Sequence, residues 1–458
     1  MTPYTIEGPI GFPGHVFGGF ADTEVLAQHG YVEEEYFIAG TATPFVPVGE
    51  LTPDGRWTTE RGPEQPFRTR VIVHRPLDAA RFNGLVMAEW SNVSTFNDIS
   101  NAVNEVFYRD GYVYAAITTQ RAAIHGLDSE ENTGLRRLQP DRYSTLDVPG
   151  DDLSYDIFSA VAHCLMRSAP TGGAELLPGL APRHLIATGE SQSSARLVSY
   201  INAVYQHDHV VSAFAPCVMV GGGSELYAAE IVPGESKQDY NRRFFSRIVP
   251  TAIRTDQAVP VLIMQSETEA RMGRLQAQPD SEWLRVWELA GSVHGSSCDT
   301  GYRPDVSARD GVRDPFARGT AKMVRFMPTM AAAGIALAEW ADRGRPLPAH
   351  PRLQRGDEPG SLRRDEYGNV LGGVRLPEVE APVAVYDSMA NPAMGTRTPL
   401  PADVVRSLYP TRDDYVAGVR AAADICVAGG VLTAVDAERY VRAAVDEDFA
   451  GEQQWPEP

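Results

Sequence analysis

Ile186-Ala-Thr-Gly-Glu-Ser-Gln-Ser-Ser-Ala195 is the stretch whose reading decides the fold. An apolar run over 184–188 meets Gly189, then Ser191, then small residues that open a helical pattern through Tyr200. That order reads as strand, sharp turn, helix, with a hydroxyl at the apex. A serine so placed is lifted out of the sheet and exposed to a partner base, and the N–H of Gln192 points at the same spot. Gly189 fits because a side chain two residues before the serine collides with the turned backbone. The usual pattern is Gly-x-Ser-x-Gly; here the fifth position is Ser193, small enough for close helix packing. The competing reading is an ordinary strand-to-helix turn, so the neighbouring segments decide.

Outward from this turn, strands alternate with helices. Residues 67–76 alternate like a strand, Asn83-Gly84 turns into an apolar strand over 85–90, and 113–119 is a further buried strand. Between the last two, Ser91-Asn92-Val93-Ser94-Thr95 precedes a helical pattern to Tyr108, which Gly111 ends. Asp151-Asp152 reads as a helix start with acidic residues in its first turn. Beyond Ser191 come strands over 210–218, 259–265 and 285–289. The spacing predicts an α/β fold with a mostly parallel central sheet and helices on both faces. Residues 1–66 are rich in Gly, Pro and Thr, with one strand-like run at 34–39. Residues 219–257 open with Gly221-Gly222-Gly223, read as a flexible hinge, and continue as a helical insertion that is either a cap or lid over the site or a surface excursion with no gating role. A closing helix over 327–342 and a C-terminal extension over 345–458, with helical patterns at 413–428 and 436–444, complete one domain over 1–458.

If Ser191 is a nucleophile, it needs a base and an acid to orient that base, in the chain order Ser, acid, His. Only His294 and His350 lie beyond the penultimate strand. His294 directly follows a strand in a Gly/Ser-rich loop, whereas His350 sits among prolines. The acid belongs just past the 259–265 strand, where Glu267 and Glu269 both stand; Glu269, further along the loop, is the first choice and Glu267 the second. A developing oxyanion needs two fixed donors. Gln192 supplies one N–H, and the loop after the 85–90 strand supplies the other, with Asn92 favoured. That loop can also be a simple helix N-cap.

Composition excludes several classes. A formal net charge of −19 leaves no basic stripe for nucleic acid or for an anionic membrane surface. No apolar run of about 18 residues could span a membrane. Cys164, Cys217, Cys298 and Cys426 are far apart, which suits free thiols in a reducing compartment. Residues 1–7 have no signal-peptide character, so a cytoplasmic location is expected. His207-Asp208-His209 has metal-like spacing but no third ligand nearby, and no phosphate- or dinucleotide-binding glycine motif occurs; neither a metal nor a cofactor is expected.

The combination of Glu89-Trp90-x-Asn92-Val93-Ser94, Gly189-Glu190-Ser191-Gln192-Ser193, Gln265-Ser266-Glu267-Thr268 and Trp287-Glu288-x-Ala290-Gly291-x-x-His294 resembles the bacterial alpha/beta hydrolase domain-containing proteins. Thr69-Arg70 with Arg75-Pro76, Arg142-Tyr143 with Pro149-Gly150-Asp151, and Gly372-Gly373-x-Arg375-x-Pro377 extend the likeness, which runs from about residue 30 to residue 445. The resemblance implies an α/β-hydrolase core and a serine hydrolase mechanism, with Ser191, His294 and Glu269 at matched positions; at the acid position Asp is the commoner residue. Together these readings predict a cofactor-independent carboxylesterase acting on a small-molecule ester, or a lactone, through an acyl-enzyme. Acyl transfer or amide cleavage by the same triad is the alternative, and a non-catalytic ligand-binding protein on the same fold is a more distant one.

Overall fold

The computed structural model describes residues 4–11, 14–19, 23–100, 105–227, 232–272, 278–296, 303–312, 323–389 and 394–446. These cluster in two compact units, one of residues 1–261 with 301–315 and one of residues 262–300 with 316–458.

The first unit is built on β1 (Tyr4–Glu7), β2 (Tyr31–Ala42), β5 (Gln65–Pro76), β6 (Leu85–Trp90), β7 (Val113–Ile117), β8 (Thr171–Gly173), β9 (His184–Glu190) and β10 (Ala213–Cys217), with β3 (Phe45–Pro47) and β4 (Thr59–Arg61) as a separate small pair. The sheet order is β10-β9-β6-β7-β5-β2-β1-β8. The half containing β10, β9, β6 and β7 is parallel throughout. Every residue of β6, β7 and β10 is buried, as expected of parallel strands covered on both faces. In the N-terminal half β5 pairs antiparallel with β7 and β2, and β2 with β1, while β8 adds to β1 in parallel. The strand-like run at 34–39 is thus the middle of a twelve-residue strand paired along its length with β5. Helices Ser154–Met166 and Gln192–Ser199 pack on the parallel half. Trp90 of β6 stacks on Phe158 at 5.0 Å, fixing the first of these helices to the strand below it.

One expected helix differs. Residues 96–100 do not continue a helix from the 91–95 loop; the described helix is Glu105–Arg109, and 101–104 lie outside the described residues. Asn92 and Ile99 instead exchange backbone hydrogen bonds, both 2.9 Å, closing the chain into a loop. Phe96 stands at its tip with φ of 63°, a backbone that helices exclude.

In the second unit β11 (Val261–Gln265) and β12 (Leu284–Glu288) are neighbours, and β13 (Ala384–Asp387) forms a hairpin with β14 (Thr396–Pro399). The Pro/Gly-rich segment after helix Met327–Arg343 grips β12. Glu288, fully buried, accepts the Leu353 N–H at 2.7 Å and pairs with Arg355 at 2.9 Å. Trp287 donates to the Pro348 carbonyl at 3.0 Å, and Val374 and Leu289 form a bridge. The extension is therefore part of the framework that holds the end of β12. Helices Arg412–Ala428 and Ala434–Asp446 pack together, and Tyr440 donates to the buried carboxyl of Glu378 at 2.8 Å.

Burial pushes the Glu378 carboxyl up to about 7. Its folded-state value lies above the unfolded one, near 4.3, so the stability it contributes is present below about pH 4 and is lost as pH rises towards 7. Glu378→Gln, neutral at every pH, is expected to be more stable than the parent at pH 8 by on the order of 1–3 kcal/mol and nearly equal to it at pH 4.5. Thermal melts of both proteins at the two pH values check this.

Candidate active site

The apolar strand β9 ends at Glu190, and helix Gln192–Ser199 begins immediately after Ser191. Ser191 makes the turn alone, at φ 57° and ψ −112°. A β-carbon pays for that conformation in strain, which functional turns tolerate when their surroundings over-determine them. Here the surroundings do so: the Ser191 N–H donates to the Cys217 carbonyl of β10 at 3.2 Å, and its carbonyl accepts from Ala195 N–H at 3.3 Å and Ser194 Oγ at 2.5 Å. Serine at a helix N-cap ordinarily accepts a first-turn N–H through its hydroxyl. Ser191 occupies the N-cap and makes no such bond. Its hydroxyl is not engaged in ending the helix.

Gly189 is explained by the same turn. A β-carbon there would lie 3.0 Å from Ser193 Cβ and 3.2 Å from Leu197 Cδ1. Ser193 is fully buried against this point, so its small size in place of the usual glycine matters.

Beside the turn, Asn92 fastens the loop after β6. Its Nδ2 donates to the Glu190 carbonyl at 2.8 Å, and its Oδ1 accepts Ser94 N–H at 2.8 Å and Ser94 Oγ at 2.6 Å. Its backbone N–H, the expected oxyanion donor, donates to Ile99 O at 2.9 Å and is not open to a ligand in this geometry. The next N–H along, that of Val93, makes only a long 3.3 Å contact with Gln192 Oε1. The Gln192 N–H heads its helix, where no intrahelical acceptor exists. Bonds made by residue 99 onto residue 92 leave no local trace in sequence.

In the second unit, helix Glu267–Met272 follows β11, and the 291–294 loop follows β12. Glu269 Oε1 lies 2.7 Å from His294 Nδ1; the carboxylate is 1 % exposed and the imidazole 23 %. The Glu269 Oε2 accepts Ser266 N–H at 3.2 Å and the Ser266 hydroxyl as well. His294 N–H donates to Thr268 Oγ1 at 3.2 Å. The carboxylate thus fixes the ring's orientation and its tautomer, with the proton on Nδ1.

Glu267, the second-choice acid, does something else. Its Oε1 accepts Gly291 N–H at 2.6 Å, its Oε2 accepts Ser388 Oγ at 2.8 Å, and burial raises its carboxyl above the usual range. It ties the histidine loop to the end of β13. His350 packs its ring edge-on to Trp287 and reaches the Gly429 carbonyl at 3.1 Å.

The weaker sequence signals also resolve. His207 contacts Thr59 Oγ1 at 2.9 Å, Asp208 pairs with His163 at 2.9 Å, and the His209 ring packs on Tyr205, so the three do not converge. Among the described residues no group of three His, Cys, Asp or Glu could hold a metal. Nor is any described helix long and apolar enough to cross a membrane. Cys164, Cys217 and Cys426 are buried; Cys298 lies outside the described residues. The glycines at 221–223 are not a loose hinge. A β-carbon on Gly222 would meet Val249 O at 2.1 Å, and Gly223 exchanges backbone bonds of 3.0 and 2.8 Å with Val249.

A parallel sheet with a serine on a strained turn after β9, and a carboxylate–histidine pair after β11 and β12, defines an α/β hydrolase. The sequence agrees: residues 6–442 match the model of the alpha/beta hydrolase domain family, and the chain belongs to that family. No curated protein matches it. Among solved structures it resembles esterase Est22 (11% identity, 70% of this chain and 83% of that one, TM-score 0.36). It also resembles a serine hydrolase without a lid from Xanthomonas campestris (12%, 55% and 83%, TM-score 0.27). A third likeness is to oligopeptidase B from Trypanosoma brucei (14%, 62% and 38%, TM-score 0.29). At these identities and TM-scores the likenesses say nothing about substrate.

Gly189→Ala is expected to destabilise the protein by about 1–3 kcal/mol, because the new methyl presses on Ser193 and Leu197 beneath the turn. A denaturant titration measures it, and an unchanged midpoint would mean the turn relaxes freely.

Proposed function

We propose that this protein is a serine hydrolase that cleaves carboxylic esters or lactones of small molecules through an acyl-enzyme. The observation that carries the proposal is the serine held at a strained helix N-cap without capping the helix. The 2.7 Å pairing of Glu269 with His294 supports it, because it supplies an oriented base in the chain order this fold uses.

In the proposed cycle Ser191 Oγ attacks the ester carbonyl while His294 Nε2 takes its proton. The carbonyl π electrons move onto oxygen, and the oxyanion is received by the N–H groups of Gln192 and Val93, Val93 taking the part that Asn92 was expected to play. His294 then protonates the leaving alkoxide as the C–O bond breaks. Water, deprotonated by His294, attacks the acyl-enzyme, and Ser191 Oγ leaves with the returned proton. Glu269 stays ionised and stabilises the imidazolium in both halves. A protein binding site of this kind needs neither metal nor cofactor. Acyl transfer uses the same steps with an alcohol or amine replacing water.

Ser191→Ala is expected to lower p-nitrophenyl ester turnover on the order of 10⁴-fold or more and to abolish labelling by a fluorophosphonate probe. Near-normal turnover in that variant removes the nucleophile. The two acids are told apart by amide substitution. Glu269→Gln should cost about 10³–10⁴ in kcat through the wrong imidazole tautomer. Glu267→Gln, which still offers Gly291 N–H an acceptor, should cost less than about tenfold. The reverse ranking would transfer the role to Glu267.

A further inference from the structure

Residues 219–257 hold one described helix of eight residues or more, Lys237–Ser246, and one face of it is spent on the loop that carries Val93. Lys237 Nζ donates to the Thr95 carbonyl at 3.2 Å and to Thr133 Oγ1 at 3.0 Å. Asn241, one turn on, donates through Nδ2 to the Ser94 carbonyl at 2.8 Å. Between them the Tyr240 ring meets Phe96 edge-on at 4.7 Å. Thr133 Oγ1 in turn donates to the Phe96 carbonyl at 2.8 Å. Three consecutive carbonyls, those of Ser94, Thr95 and Phe96, are therefore each held by a side chain, two of them from the inserted helix. Positions 237, 240 and 241 share one helical face, so the three contacts act together.

The loop needs such holding. Phe96 sits in the left-handed region, at φ 63°, where an aromatic residue does not stay unaided. The Asn92–Val93 peptide is oriented by Ile99 N–H donating to the Asn92 carbonyl at 2.9 Å, and in a trans peptide this turns the Val93 N–H the opposite way. Asp98, on the far arm, is gripped by the buried Arg70 at 2.8 Å. The arm nearest Val93 has the inserted helix as its brace. Burial lowers the Lys237 ammonium from its ordinary value, a cost accepted in exchange for the carbonyl contact.

Resting on the hydrolase reading above, we infer that Lys237 and Asn241 are positioning residues for the oxyanion donor: the insertion braces the 93–96 loop. Its presence in place is a condition for stabilising the oxyanion, independent of any covering of substrate. An opening of the helix would release the Ser94 and Thr95 carbonyls and let the Val93 peptide turn.

The test measures kcat, KM and the inhibition constant of an alkyl trifluoromethyl ketone, which forms a hemiketal oxyanion on the serine. It compares the full-length protein with Lys237→Met, Asn241→Leu, the double variant and Lys237→Arg. Arg242→Ala, on the exposed side of the same helix, is the control. A misplaced donor should lower kcat about tenfold in each single variant and up to about 10²-fold in the double, with KM within about twofold. The ketone should weaken in parallel with kcat/KM, Lys237→Arg should recover most of the loss, and Arg242→Ala should match the parent. Unchanged kcat and ketone inhibition overturn the inference, as does a rise in KM at constant kcat, which would mean that the helix binds substrate. If the double variant does not fold, Asn241→Ala, which deletes one bond, decides by the same two readouts. Failure of the hydrolase reading is distinguishable: the parent itself would then neither turn over ester nor take a fluorophosphonate on Ser191, and the inference would fall with it.

Discussion

A single peptide unit forced out of the allowed backbone regions organises the first unit. Ser191 can hold φ 57° and ψ −112° only because its N–H is captured by β10, its carbonyl by the helix it starts, and the residue two before it has no side chain. The strain of such a turn, on the order of 1–3 kcal/mol, must be borne by the strands on either side. That fits the parallel, almost entirely buried β6, β9 and β10 beneath it. It also accounts for Asn92, whose amide reaches from the neighbouring strand's loop to the Glu190 carbonyl and so fixes the last residue before the turn.

The second unit solves a different problem, that of holding an imidazole at a set angle on a loop. Two glutamates two residues apart on one short helix divide the task. Glu269 faces the ring of His294, while Glu267 takes the backbone of the ring's own loop at Gly291 and the hydroxyl of Ser388. Residues two apart on a helix project about 200° from each other, so a single turn can serve both without crowding. Behind them, the extension clamps β12 through Glu288 and Trp287, so that the strand from which the loop departs is as fixed as the acid helix.

Much of this was legible in sequence, for a physical reason. Buried parallel strands are continuous apolar runs, and β6, β7, β9, β11 and β12 stand out as such between turn residues. The strand-to-helix turn at Ser191 and the glycine two before it follow from backbone sterics that act over a few residues. What escaped depends on partners far along the chain. That Glu267 holds the Gly291 N–H and the Ser388 hydroxyl has no local signal. The N–H of Asn92 is taken by Ile99, and the Ser94 and Thr95 carbonyls are held by a helix about 140 residues later. The glycines at 221–223 look like a hinge until Val249 is found pairing with one of them. At the N-terminal end β8, a run of Thr-Gly-Gly, has no apolar pattern to disclose it.

These misses share a cause that bears on how the fold acquires its chemistry. The strands and the elbow are specified locally, so their geometry follows almost from composition and spacing. The 92–99 loop is not: its backbone groups are fixed by Ile99 within the loop, by Thr133 and by the inserted helix, and its Asp98 carboxylate by Arg70. A loop so over-determined can hold a strained residue at its tip and keep an N–H pointed at one place without reorganisation, which is the property electrostatic stabilisation of a transition state requires. In the proposed enzyme the inserted helix and the Val93 donor are linked through Lys237 and Asn241.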